Sequence, residues 1–301
     1  MEAIGLNITA PLLYSTLPFL LGYPFRPVPC RFGVDFVFSE IELFIDALYR
    51  RVYNVGFRRF TEAIIMGSAR RGFTLIELLI VIGIIVLLMS ILLPMAVRAR
   101  NCAAAVVCES NLRQWGLATQ MYASQNGGCL PRRGQGVGPT FRIDRPADWF
   151  NALPPMMKMK SYVDLADDDQ IARPGSKSIW ICPRAGDFNG PYYWSYGMNM
   201  GLSVWEVDQN NGNPDKITGV GNTSILVLFA DAPGNYCSVF PSKAGSGYNP
   251  VARHPNNTIN ICFLDSHVEA VAGSYIGCGT GLIEHPDIHW HPPGNTWDSA
   301  R

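Results

Sequence analysis

The pattern of apolar and polar positions changes character three times along the chain, and each change marks off a part. From Phe73 to Val97 the sequence is apolar apart from Thr74, Glu77 and Ser90. A run of that length crosses a hydrocarbon layer of roughly 30 Å as a helix of about 20 residues. From Ala103 to Tyr122 the apolar positions thin to a helical period. Cys108, Leu112, Trp115, Thr119 and Tyr122 recur at steps of four and three, while Glu109, Arg113, Gln114 and Gln120 fall on other faces. Together the two stretches predict one long helix, transmembrane over 73–97 and soluble with a buried stripe over 98–126. Gly127-Gly128 stops it, because glycine favours the C-cap.

Between Pro131 and Arg173 no period survives, and RRGQGVGPT, NALPPMMKMK and DLADDDQ read as loops with one short helix. Beyond them the pattern becomes that of strands: Ser178–Cys182 (SIWIC), Ser224–Ala230 (SILVLFA) ending at Asp231, Thr258–Leu264 (TINICFL) ending at Asp265, then His267–Val271. Asn189-Gly190, Asn211-Gly212 and Pro233-Gly234 supply turns between them. A striped helix must bury its stripe against something. The predicted fold class is therefore α+β, a long N-terminal transmembrane helix continuing into a soluble half that packs on a C-terminal antiparallel sheet. The loop-rich globular domain runs over 127–284, and 285–301 form a tail.

Composition sharpens this in two ways. Twenty-four basic and 24 acidic side chains cancel, leaving no field to steer nucleic acid, and no nucleic-acid partner is expected. Twenty-two prolines and 29 glycines fit a loop-rich exterior. The eight cysteines, Cys30, Cys102, Cys108, Cys129, Cys182, Cys237, Cys262 and Cys278, contain no CxxC pair, which argues against a structural zinc site of the close-spaced kind. One or two disulfides are permitted if the part beyond the span faces an oxidising compartment.

Glu77 is the anomaly in the span. An ionised side chain inside a bilayer costs on the order of 2.5–3.5 kcal/mol or more and is retained with a partner and a function. No cation lies on its own helix within the bilayer. A cut between Gly72 and Phe73 would create one, because the new α-amino group would sit at about the same depth, and Arg70 and Arg71 ahead of it hold that end on the cytoplasmic side.

RRG followed by FTLIELL resembles the cleavage and methylation site of type IV pilins and type II secretion pseudopilins. The resemblance implies that a prepilin peptidase cleaves after Gly72 and methylates Phe73, that Glu77 serves assembly, and that Pro94 kinks the helix. It implies a structural subunit in the bacterial inner membrane, N-terminus cytoplasmic and C-terminal domain periplasmic, forming homo- or hetero-oligomers with other pseudopilins. Residues 66–72, MGSARRG, then form the leader. Residues 1–65 have two readings: a mis-called start or disordered stretch preceding a true initiator at Met66, or a cytoplasmic extension in which Ser39–Val52 forms an amphipathic helix.

Further along, CESNLRQWGLATQMYASQNGGCLPR, WICP, SYGMN, LVLFADAP and ARHPNNTINICFLDSHVEAV resemble the pseudopilin-like proteins of planctomycetes and their relatives. Ser266 departs from that pattern where glycine is usual. The interval from His254 to Asp265 is one residue longer than the common one. Cys108 and Cys182 flank family-like motifs and make the favoured disulfide pair, although pairing cannot be read from sequence.

Chemistry is sparsely signalled. Asp231, Asp265, His254 and His267 lie at predicted strand ends and could converge at one edge of the sheet, and the resemblance allows a calcium site on Asp231 or Asp265. Against it, no loop concentrates the six to eight oxygens calcium takes, and an Asp at a strand end commonly binds its own turn. The run Asp164, Asp167, Asp168 and Asp169 lacks EF-hand spacing and reads as a solvated loop. His285, His289 and His291 read as exposed tail. No nucleophile elbow, phosphate loop, HExxH or paired-acid constellation occurs, so no enzyme is predicted. Two rivals to the filament subunit remain. One is a tethered binding module, which solvent-facing Tyr192, Tyr193, Trp194 and Tyr196 would favour. The other is a tethered enzyme, which a pocket holding His254, Asp231 and Asp265 would favour.

Overall fold

The computed structural model describes residues 75–134, 142–186, 190–202, 216–217, 220–234, 236–242, 247–283 and 285–292. Gly72 and Phe73, the 66–72 leader, residues 1–65 with the Ser39–Val52 helix, the Asn211-Gly212 turn and the side chain of Glu77 lie outside them. The described residues fall into two units, one ending at Ala103 and the other beginning at Ala104.

Helix α1 (Leu75–Gln125) joins the two predicted helical stretches into one element. Its first part, up to Ala103, is apolar and open: Leu75, Leu79, Val86 and Leu93 are all exposed, Leu93 to 69%. An open apolar helix of this length is long and apolar enough to cross a membrane. Pro94 lies inside α1, where it cannot supply the helical N–H to the carbonyl four residues back.

From Ala104 onward the helix buries the stripe read from the sequence, with Cys108, Leu112, Trp115 and Thr119 fully buried. It ends at Gly127 and Gly128, with φ 64° and 84°, where the Gly128 N–H donates to the Ala123 carbonyl, as left-handed C-caps do. Short helices α2 (Trp149–Ala152) and α3 (Tyr162–Asp167) follow. Ser161 caps α3 in a reciprocal box with Asp164, and Lys160 holds Asp168 at 2.6 Å. The acidic run thus caps and flanks a short helix.

The sheet comprises β1 (Trp194–Asn199), β2 (Val227–Gly234), β3 (Ser238–Val239), β4 (Thr258–Phe263) and β5 (Val268–Ala272), in the order β3-β1-β2-β4-β5. Every pairing is antiparallel except β1 with β3, which is parallel. Alternation sorts β4 between two cores: Cys262 packs with the helix-side cluster, while Ile259, Ile261 and Phe263 face the other way. A register shift in β2 lies between Val227 and Phe229, and Leu228 and Phe229 both join the helix-side core. That core is aromatic, with Trp115 edge-on to Trp149 at 5.3 Å and Tyr162 stacked on Trp194 at 4.9 Å. The helix comes closest to the sheet at Gly116, where a Cβ would meet Cys262 Sγ at 2.7 Å and Ser266 Cβ at 3.0 Å.

Three expectations change. Ser178–Cys182 forms turns, with the Ile181 N–H bonded to the Ser178 carbonyl, although Trp180, Ile181 and Cys182 are buried as its apolar composition implied. Strand β2 does not end before Asp231 but runs through it to Gly234. The tail is packed where it is described: Ile288 and Trp290 are buried in the second core, and His289 exchanges backbone hydrogen bonds with Ile225 and Val227. Ser266 keeps the turn that glycine would make, at φ 73°, a left-handed conformation that a residue with a Cβ adopts at a cost.

Asp148, just before α2, is fully buried, with Arg132 Nε 3.7 Å from its Oδ1. Burial outweighs the arginines and raises its pKa from 3.8 to about 6. A raised carboxyl pKa gives stability that is present below the unfolded value and is lost as pH rises through the folded one. Asp148→Asn mimics the protonated form, so it should stabilise the protein by about 3 kcal/mol at pH 7–8 and have little effect at pH 4. Urea midpoints across that range check this; equal shifts at both ends would rule it out.

Candidate functional site

Four elements deliver one chemically distinctive cluster. Cys108 comes from α1, at a helical position whose neighbours Leu112 and Trp115 fix the buried face. Cys182 comes from the Ser178–Cys182 turn, tied to α1 by Asn111 Nδ2 on the Ile181 carbonyl (3.3 Å) and Trp115 Nε1 on the Ile179 carbonyl (3.2 Å). Asp231 comes from the interior of β2. His254 enters from the tight loop into β4, where its N–H donates to the Thr258 carbonyl and Asn256 and Asn257 both take positive φ. Cys108, Cys182 and Asp231 are completely buried, and His254 is 4% exposed.

The donor atoms of these four residues all lie within 4.8 Å of one another. Cys108 Sγ donates to Asp231 Oδ1 at 3.3 Å, His254 Nε2 lies 3.1 Å from Asp231 Oδ2, and Cys182 Sγ lies 3.7 Å from the same Nε2. The Asn260 N–H donates to Asp231 Oδ2 at 3.0 Å, and buried Arg253 brings Nε to 3.9 Å from Oδ1. Burial works to lower the His254 pKa, but the hydrogen bonds to Asp231 and Cys182 prevail and raise it to about 9. The Cys182 thiol is pulled down, first by its hydrogen bond with Cys108 and further by His254, against the effect of burial. The imidazole thus sits between the Asp231 carboxyl group and the Cys182 sulfur.

The arrangement is not that of a Cys–His–Asp relay. A relay needs the nucleophile on one ring nitrogen and the carboxylate on the other. Here Cys182 and Asp231 both face Nε2, while Nδ1 has no hydrogen-bond partner among the described residues. The sulfurs are also closed to solvent.

Asp265, paired with Asp231 in the sequence reading, is not part of this cluster. It bonds His267 Nδ1 at 2.5 Å on a part-exposed turn, and His267 stacks on Phe263. Two sulfurs and an imidazole around Asp231 form a donor set foreign to calcium. Tyr193, Trp194 and Tyr196 are buried and offer no aromatic patch to a ligand, and His285 stacks on Tyr275. Cys108 and Cys182, favoured as a pair by resemblance, do meet, as free thiols. Sequence reasoning brought Asp231 toward His254 and Cys108 toward Cys182, but not the two pairs toward each other.

These features define the class: an α+β protein whose apolar, membrane-capable helix leads into a sheet domain built around a buried polar knot. The N-terminal part places it further. The family described as the prokaryotic N-terminal methylation motif matches residues 67–93, which supports a type IV pilin- or pseudopilin-like protein. No curated protein and no solved structure matches the chain.

Proposed function

We propose that the protein is a pseudopilin-like structural subunit, cleaved after Gly72 by a prepilin peptidase, N-methylated at Phe73 and packed with copies of itself or with other pseudopilins into a filament based in the bacterial inner membrane. The observation that carries this reading is the methylation motif at residues 67–93 lying on the start of an open, apolar helix. The helix holds the subunit in the bilayer before assembly; in the filament its apolar faces are covered by neighbouring helices. Glu77 faces the Phe73 amino group of an adjacent subunit, Pro94 kinks the helix, and the domain beyond Ala103 lies on the periplasmic side. A structural, non-enzymatic role is what the methylation motif at residues 67–93 supports.

Intact mass and N-terminal sequencing of protein recovered from native membranes test the proposal. The expected terminus is N-methyl-Phe73. A chain beginning at Met1 or Met66 would reduce the span to a simple anchor and overturn the filament reading.

A further inference from the structure

We infer that Cys108, Cys182, Asp231 and His254 bind one zinc-type divalent ion as a closed, structural site. The argument is geometric. Zinc bonds of about 2.3 Å to sulfur, 2.0–2.1 Å to imidazole nitrogen and 2.0 Å to carboxylate oxygen, set at tetrahedral angles, place sulfur about 3.6 Å from nitrogen, sulfur about 3.5 Å from oxygen and nitrogen about 3.3 Å from oxygen. The corresponding separations are 3.7 Å for Cys182 Sγ to His254 Nε2, 3.3 Å for Cys108 Sγ to Asp231 Oδ1 and 3.1 Å for His254 Nε2 to Asp231 Oδ2. The carboxylate faces sulfur with one oxygen and nitrogen with the other, so it straddles the point the four donors surround.

The donor set selects the ion. Two thiolates, one imidazole and one carboxylate suit zinc and exclude calcium and magnesium, which take oxygen. Charge also balances, since two thiolates and a carboxylate leave a divalent ion one unit negative, and buried Arg253, 3.9 Å from Asp231 Oδ1, offsets it. Four protein ligands leave no open position for water, and burial closes the site, which makes it structural rather than catalytic. The ion joins α1, the 178–182 turn, β2 and the loop before β4, elements as far apart in sequence as the 146 positions from Cys108 to His254.

The test uses the full-length protein, purified in detergent under reducing conditions. Elemental analysis should find about one zinc per chain. Cobalt added to chelator-stripped protein should give the intense visible bands of a tetrahedral ion with thiolate-to-cobalt charge transfer. Cys182→Ser and His254→Ala should lose the charge-transfer band or the tetrahedral spectrum. Asp265→Asn, at the exposed turn, and His291→Ala, in the tail, should keep both. X-ray absorption of the zinc-loaded wild-type chain should show two sulfur neighbours, a readout that no mutant's folding can confuse. A Cys108–Cys182 disulfide in protein isolated without reductant, or an octahedral cobalt spectrum without charge transfer, would overturn the site. This inference is independent of filament assembly, since either result can stand with the N-terminus at Phe73 or elsewhere.

Discussion

If the proposed assembly holds, Glu77→Ala should abolish filament formation while leaving cleavage after Gly72 and methylation of Phe73 intact. The substitution leaves the peptidase's site unchanged but removes the only carboxylate between Phe73 and Val97. In the assembled state the amino group of a neighbouring Phe73 then sits among apolar helices without a counter-charge, and stranding a buried charge costs about 3–5 kcal/mol. A loss of that size lowers the association constant for each added subunit by a factor of about 100 or more. Glu77→Gln should fail nearly as badly, because the amide keeps the shape but not the charge. Intact mass reports the processing, and electron microscopy of sheared or overexpressed material reports the filaments. Normal filaments from either variant would remove Glu77 from the assembly mechanism.

The largest expected loss of fold stability is at Asp231. Its carboxylate accepts from the Asn260 N–H and Cys108 and faces both His254 and Arg253. Asp231→Ala leaves buried Arg253 without its anion, His254 without its partner and a buried N–H of β4 without an acceptor, so it should cost about 3–5 kcal/mol. Asp231→Asn retains an oxygen for the Asn260 N–H and should cost less. Urea titration of the detergent-solubilised chain, followed by tryptophan fluorescence, separates the two, because Trp115, Trp149 and Trp180 share the adjoining core. A shift below about 1 kcal/mol for Asp231→Ala would mean that water or a rearranged neighbour replaces the carboxylate.

How far the sequence could be read depended on whether the signal was local. The long helix was legible because its two periods, continuous over the span and striped from Cys108 to Tyr122, are written in consecutive residues. Gly127 and Gly128 ended it for a reason a single residue carries. Ser178–Cys182 misled because β-rich apolar composition reports burial, and a buried turn beside Pro183 has the same composition as a strand. Asp231 was placed at a strand end because a carboxylate in a buried strand is rare, yet β2 continues because Asn260, Cys108, His254 and Arg253 supply its partners. The two halves of the cluster, Asp231 with His254 and Cys108 with Cys182, were legible, but their union was not, since the four residues come from four elements with no repeated interval, whereas sequence recognition of zinc relies on closely spaced pairs. Glu77 could be reasoned from cost alone, because a charge in a lipid-facing run needs an explanation wherever it occurs.

The packed tail makes one face of the sheet depend on residues far from it in sequence. Val227, Ile259, Ile261 and Phe263 share their core with Ile276, Ile288 and Trp290. A variant truncated before Ile288 should therefore uncover apolar sheet surface, bind hydrophobic dyes and self-associate.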